Sequence, residues 1–323
     1  MLSSAKMSRA MASRRLLKMG LMFFWPVAVV NAGLFLCSPG VEAMERFILE
    51  EGRGVYGMLK TAKVRPGETL LDIAREHDLG YNQITAANPG LDPWTVAEGT
   101  SVNLPTVIVL PATRLPDGLV VNLAEMRLYY FRHTERGGYC WTSPVGVGRE
   151  GYFTELGVYT VLSKAKDPVW VVPPSVRDED PDLPLEVPAG PENPLGKYIL
   201  RFSRLSYGIH GTNRPWGVGR RVSHGCIRLY PEDMSALFPL VSVGTLIRIT
   251  YEPVKVGWAD GACWLQVFED YERRMDDPLA EAILGVSACL SNRGRPEVNL
   301  GAIKKALREH TGIPVAVAWA GAQ

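Results

Sequence analysis

Two short runs carry the residue types that do covalent chemistry. One is Ile209-His210-Gly211-Thr212; the other is Ser223-His224-Gly225-Cys226-Ile227-Arg228-Leu229. Cysteine becomes a competent nucleophile when a nearby imidazole accepts its proton or stabilises its thiolate. If 223–229 is extended, His224, Cys226 and Arg228 project from one face and Ser223, Gly225 and Ile227 from the other. Gly225 then leaves room for a substrate backbone, and its neighbouring N–H groups could form an oxyanion hole. Arg228 could grip a substrate carboxylate with both guanidinium donors. A lone buried cysteine is ordinarily inert packing, and a lone histidine ordinarily a satisfied one. A catalytic zinc on His210, His224 and Cys226 is a rival, but the chain has no Cys-x-x-Cys or His-Glu-x-x-His run to support it. A papain-like order fits poorly, because His210 precedes the cysteine.

The rest of the chain must position these groups. The whole sequence carries 35 basic and 34 acidic residues, which excludes a strong electrostatic grip on nucleic acid. At 46% hydrophobic and 21% charged it is not a disordered chain. Its 323 residues suggest two or so domains, and 24 prolines with 32 glycines favour a turn-rich, mainly β protein. The N-terminus has its own pattern. Lys6, Arg9, Arg14, Arg15 and Lys18 precede an apolar run from Met19 to Cys37, and Ser38-Pro39-Gly40 leads to Val41-Glu42-Ala43. A basic head, an apolar stretch and a small-residue site read as a secretory signal over 1–43, cut after Ala43. An uncut anchor is the alternative, weakened by Pro26 and Asn31. Export would admit disulfides among Cys140, Cys226, Cys263 and Cys289; the pairing stays open.

Beyond the signal the chain divides into 60–106, 115–252 and 253–323. The first begins with a strand at Thr61–Val64 and a turn at Arg65–Glu68. Thr69 then caps a helix striped by Leu70, Ile73 and Ala74, with Asp72 completing an acidic capping box. A second helix over Asn82–Ala87 ends at Asn88-Pro89-Gly90, and Ser101–Leu104 is a closing strand, giving a βααβ unit. In the second region, strands are expected at Leu119–Asn122, Met126–Phe131, Tyr139–Val147, Val158–Lys164, Lys197–Phe202 and Leu246–Tyr251, with a helix from Pro231 to Phe238. Between Asp167 and Lys197 lie eight prolines. So long a loop within a compact domain reads as a semi-rigid lid. The third region has a hairpin turn at Asp260-Gly261 and helices near 271–288 and 297–309, and reads as a packing or docking appendage.

The first of these regions resembles a LysM domain, through Val64-x-x-Gly67-Glu68-Thr69-Leu70-x-x-Ile73-Ala74, Asn88-Pro89, Pro93-Trp94, Gly99 and Leu104-Pro105. The second resembles the catalytic domain of bacterial L,D-transpeptidases. The carrying residues are His210-Gly-Thr, Ser223-His-Gly-Cys-Ile-Arg-Leu229, Pro144-Val-Gly-Val-Gly148, Leu156-Gly157, Lys164-x-Lys166-x-Pro168-x-Trp170, Pro191-x-x-Pro194-Leu-Gly-Lys197 and Gly217-x-Gly219. Glu155 departs from the proline usual before Leu-Gly. The resemblance implies a mainly β fold: a sandwich-like catalytic domain, a small α+β LysM domain and a small C-terminal α+β appendage. It implies that Cys226 is the nucleophile and His210 the general acid/base, oriented by a carbonyl near Gly211. His224, Ser223 and Gly225 would shape the catalytic loop, while Arg228, Tyr207, Thr212 and Trp170 would contact substrate. It implies neither metal nor organic cofactor. Its partners would be peptidoglycan stem tetrapeptides, glycan held by the LysM domain and, as one possible acceptor, a lipoprotein lysine. It implies action in the periplasm, with membrane contact only through an uncut signal, and acylation of Cys226 by carbapenems. An L,D-carboxypeptidase or a hydrolase of lipoprotein–peptidoglycan links would use the same residues. A cell-wall-binding protein with a dead site is the non-enzymatic alternative.

Overall fold

A computed structural model describes residues 44–135, 137–203, 207–291, 293 and 296–319. The expected signal segment, 1–43, lies outside the described residues. Strands dominate, as composition and resemblance led one to expect. The central sheet has nine strands in the order Glu45–Leu49, Gly137–Pro144, Arg127–Thr134, Gly118–Asn122, Leu246–Thr250, Gly157–Lys166, Tyr198–Phe202, Gly208–His210, Ile227–Arg228. Most neighbours run antiparallel. Two pairs are parallel, Leu246–Thr250 beside Gly118–Asn122 and Ile227–Arg228 beside Gly208–His210.

The sheet is covered on both sides, which explains the apolar run at its centre. Alternate residues of Gly118–Asn122 and Arg127–Thr134 enter separate cores. Leu119, Val121, Leu128 and Tyr130 join Ile209, Ile227, Met234 and Leu237. Val120, Tyr129 and Phe131 pack with Tyr56, Ile108 and Cys140. A strand buried on both faces loses the polar/apolar alternation of a half-buried one. The helix Pro231–Leu240 starts on a proline, as its sequence predicts, and closes the first core with Met234 and Leu237.

The small module folds as Lys60–Lys63, Leu70–Glu76, Tyr81–Ala86 and Ser101–Leu104. Its capping box forms as expected: Thr69 Oγ1 accepts from Asp72 N, and the Asp72 carboxylate accepts from Thr69 N. The module is seated firmly on the larger region. Tyr81 N donates to Val218 O at 3.2 Å and Asn82 N to Gly219 O at 3.1 Å. Arg75 makes a two-pronged ion pair with Glu232. Gly219 has φ +75°, and a Cβ there would lie 2.2 Å from Tyr81 N. Only glycine permits both that backbone and that approach.

Two elements of the tail differ from expectation. The helix expected near 271–288 is Pro278–Leu290, because Asp277 caps it and Pro278 occupies its first turn. The helix expected over 297–309 is Leu300–Glu309, because Glu297–Val298 is spent pairing with the strand Val315–Trp319. The open cysteine question also resolves: Cys263 and Cys289 form a disulfide, joining the sheet of the tail to its first helix. Cys140 remains a buried thiol.

Candidate active site

His210 ends the strand Gly208–His210 and stands in register with Arg228 on the parallel neighbour. Leu229 N donates to His210 O at 2.9 Å. Cys226 immediately precedes Ile227, so its strand neighbour across the ladder falls at the Gly208 end. The motif's two halves, separate in sequence, are thus joined by sheet hydrogen bonds.

His210 is 3% exposed. Its Nδ1 lies 2.5 Å from Gly211 O. A carbonyl only accepts, so Nδ1 carries the proton and Nε2 presents a lone pair. Burial, with the Arg228 charge second, pushes the imidazole down to about 3. The ring is therefore neutral at neutral pH. The carbonyl of Leu195, from the end of the proline-rich segment, also faces the ring. Cys226 is partly exposed and carries a thiol rather than a disulfide. Burial raises its pKa above the ordinary thiol value, against the opposing pull of the Gly208 backbone, Arg228 and Arg201. The resting pair is therefore a neutral thiol and a neutral imidazole, and nucleophilic attack would require proton transfer as it occurs.

The cysteine loop is a tight turn, not a continuous strand. Arg221–Ser223 pairs in a separate two-stranded ladder with Val147–Gly148, and the turn intervenes before Ile227–Arg228. Gly225 has φ +103°, and a Cβ there would lie 2.6 Å from the Tyr207 ring. The expected alternation of His224, Cys226 and Arg228 on one face is corrected by this left-handed glycine. Ser223, fully buried, holds the turn: its Oγ donates to Cys226 O at 2.5 Å and accepts from Gly225 N at 3.1 Å. The Gly225 amide is thereby committed to Ser223 Oγ. Thr154 Oγ1 donates to Gly225 O at 3.0 Å and accepts from Gly148 N at 3.1 Å. Thr154 escaped sequence reasoning, since nothing in its local run marks it.

The other expected site residues part into two groups. Arg228 and Tyr207 adjoin Cys226. The Arg228 Nε is buried with no acceptor, and among the described residues no carboxylate pairs with its guanidinium. A half-buried guanidinium with no carboxylate partner is free to meet an incoming anion. Tyr207 covers Gly225, and burial raises its phenol, with Glu155 and Cys226 adding to the effect. Thr212 is used structurally: its Oγ1 accepts from Arg214 N at 2.9 Å. Gly211 supplies the carbonyl for His210 and lies against Gly196, where a Cβ would be 3.0 Å from the Gly211 carbonyl carbon. Trp170 stands apart on a two-residue strand, Trp170–Val171, paired with Glu186–Val187 inside the proline-rich segment.

His224 turns toward that same segment. Its Nε2 lies 3.0 Å from Arg149 Nη2 and 3.2 Å from a Glu179 oxygen. Its ring meets Tyr152 edge-on at 4.4 Å. Glu179 ends the helix Pro174–Glu179 and also pairs with Arg149. Sequence reasoning does not single out Arg149, Tyr152 or Glu179; they lie in a loop or at a helix end, Arg149 and Tyr152 half-buried and Glu179 exposed, with no distinguishing spacing. The proline-rich segment is ordered from within: Asn193, fully buried, donates to the carbonyls of Pro168, Val187 and Pro188. Among the described residues no group of three or more His, Cys, Asp or Glu side chains is placed to hold a metal.

A parallel ladder joins the strand of a buried, neutral histidine to the strand that follows the cysteine turn. Comparison with known proteins gives the family. Residues 116–256 match the model of the L,D-transpeptidase catalytic domain, and residues 62–105 match that of the LysM domain. The chain is 36% identical to the probable L,D-transpeptidase ErfK/SrfK of Escherichia coli (strain K12), over 83% of this chain and 88% of that one. It is 34% identical to the probable L,D-transpeptidase YbiS of the same strain, over 82% and 89%, and 33% identical to the probable L,D-transpeptidase YcfS, over 78% and 81%. The chain belongs to the L,D-transpeptidase family.

Proposed function

We propose that the protein is an exported L,D-transpeptidase that acts in the periplasm on peptidoglycan tetrapeptide stems through a thioester on Cys226. Residues 1–43 direct export, 60–106 bind wall glycan, 115–252 carry the chemistry and 253–323 brace it. Cys226 Sγ attacks the carbonyl of the third stem residue, meso-diaminopimelate, as its proton passes to His210 Nε2. The bond to D-alanine breaks, and the leaving amine takes that proton. An acceptor amine, from another stem or a lipoprotein lysine, then attacks the thioester. It passes its proton through His210 back to sulfur. Proton transfer by a positioned base accounts for about 10²–10⁴-fold of rate in such reactions. Arg228 holds an anionic group of the donor stem, and Ser223 and Gly225 keep the turn in shape.

The observation that supports this reading is the neutral, buried His210, whose Nδ1–H is committed to Gly211 O on a strand paired with the one that directly follows Cys226. Among the described residues no helix is long and apolar enough to cross a membrane. Intact-mass measurement after mixing with a tetrapeptide donor tests the proposal. The native chain is expected to gain the mass of the stem less D-alanine, and Cys226→Ser to gain nothing. An unchanged adduct in Cys226→Ser would remove the cysteine from the mechanism.

A further inference from the structure

The first described residue, Met44, is buried in both senses. Its side chain joins the main core at 6% exposure, and its backbone N lies 3.1 Å from Asp233 Oδ1. The next amide, Glu45 N, lies 3.2 Å from Asp78 Oδ2. These two carboxylates come from different regions. Asp78 follows the first helix of the small module, and Asp233 sits in the first turn of the helix that follows the cysteine motif. Both are buried, at 7% and 1% exposure.

The pocket is short of positive charge. Arg127 Nη1 stands 3.8 Å from Asp78 Oδ2 and is its only ion-pair partner among the described residues, while Arg75 is taken by Glu232. Ser143 donates to Asp233 Oδ2 at 2.7 Å, but a hydroxyl brings no charge. Asp78 Oδ1 is buried with no hydrogen-bond partner. The two carboxyls also hydrogen-bond to each other, so without a further cation they must share a proton to leave a single charge for Arg127, because an unpaired buried charge is expensive. Accordingly, burial pushes Asp233 up to about 6 and raises Asp78 well above its ordinary value, with the Asp233 charge contributing to the latter.

We propose that hydrolysis of the Ala43–Met44 bond converts the Met44 amide into an α-ammonium that stays in this pocket as the missing counter-ion of Asp233 and Asp78. Water supplies the hydroxyl that leaves Ala43 as a carboxylate, and the released amine is protonated. The new cation keeps the Met44 bond to Asp233 and gains two further donors, one of which can serve Asp78 Oδ1. Signal removal is then also a fastening step. It ties the first strand, the small module and the helix behind Cys226 at one charged point. The inference rests on the proposed cleavage after Ala43 and is independent of the cysteine chemistry.

The test compares a chain starting at Met44 with the same chain preceded by N-acetylated Gly-Ser, which keeps the Met44 amide and carries no terminal charge. The Met44 chain is expected to melt about 3–6 °C higher, and its α-amine to resist acylating reagents while folded. Asp233→Asn should lower the melting point of the Met44 chain, yet leave that of the extended chain unchanged or raised, because there it removes surplus charge. Asp78→Asn repeats the cycle should Asp233→Asn fail to fold. Equal melting points, or the same Asn effect in both chains, would overturn the pocket. Intact mass of the protein secreted from the full sequence checks the cleavage separately: a start at Met44 supports it, and any other start overturns it. Acylation of Cys226 by a donor stem reads the catalytic proposal apart from both.

Discussion

The two histidines of the motif show how little sequence distance says about role. His224 is two residues from Cys226, while His210 is on another strand. Yet His210 is the one sealed in the core, with one ring nitrogen committed to a carbonyl. His224 faces Glu179, Arg149 and Tyr152 at the surface. Gly225, with its positive φ, turns the chain between His224 and Cys226, so adjacency in sequence does not put them on one face. In the proposed mechanism the base is the ring with a fixed tautomer, and the parallel ladder brings its strand to the cysteine turn where adjacency in the chain does not.

The sharpest way to break this comparison is to truncate each ring in turn. His210→Ala is expected to slow acylation by about 10²–10⁴-fold, and His224→Ala by less than about tenfold. Single-turnover mass kinetics on a donor peptide would show it, and equal losses would erase the distinction. Next comes the unpaired guanidinium. Arg228→Met should weaken donor use by roughly 10–100-fold, the scale of a hydrogen-bonded charge, mainly in KM; an unaltered KM would remove Arg228 from substrate binding.

The third effect is acid sensitivity. His210 binds its proton more weakly when folded than when unfolded. Between the ordinary histidine pKa and about 3 the unfolded chain therefore takes up more protons. Stability from this residue is full above about pH 6.5 and is lost as pH falls through that window. Denaturant titrations at pH 7 and pH 4.5 should show a smaller drop for His210→Gln than for the native chain. The smallest effect belongs to Glu179→Gln. It breaks a half-exposed ion pair, and exposed pairs contribute about 0–1 kcal/mol. Acylation rates within about threefold of native are expected, and a far larger loss would give the His224 side a catalytic weight the geometry denies it.

Much of this was readable from residue order. The capping box at Thr69 and Asp72, the proline start of the helix at Pro231 and the His210–Cys226 motif depend on local chemistry, and local chemistry is written in short runs. What escaped depends on partners distant in sequence. Thr154 reaches Gly225, Glu179 reaches His224, and Asp78 meets Asp233, each through a contact no periodicity announces. The cysteine turn misled because alternation was assumed across a glycine, where a left-handed backbone abolishes it. The tail helices begin later than expected because Asp277 and Asn299 act as their caps.

Gly219 deserves a last thought for what its missing side chain does at larger scale. Because main chain touches main chain there, the small module cannot swing on a tether. A wall strand gripped by it would meet the thiol at one set offset, as against a rule laid along the sugar polymer. Stems at that spacing would be processed, and those nearer or farther along the strand would be passed over.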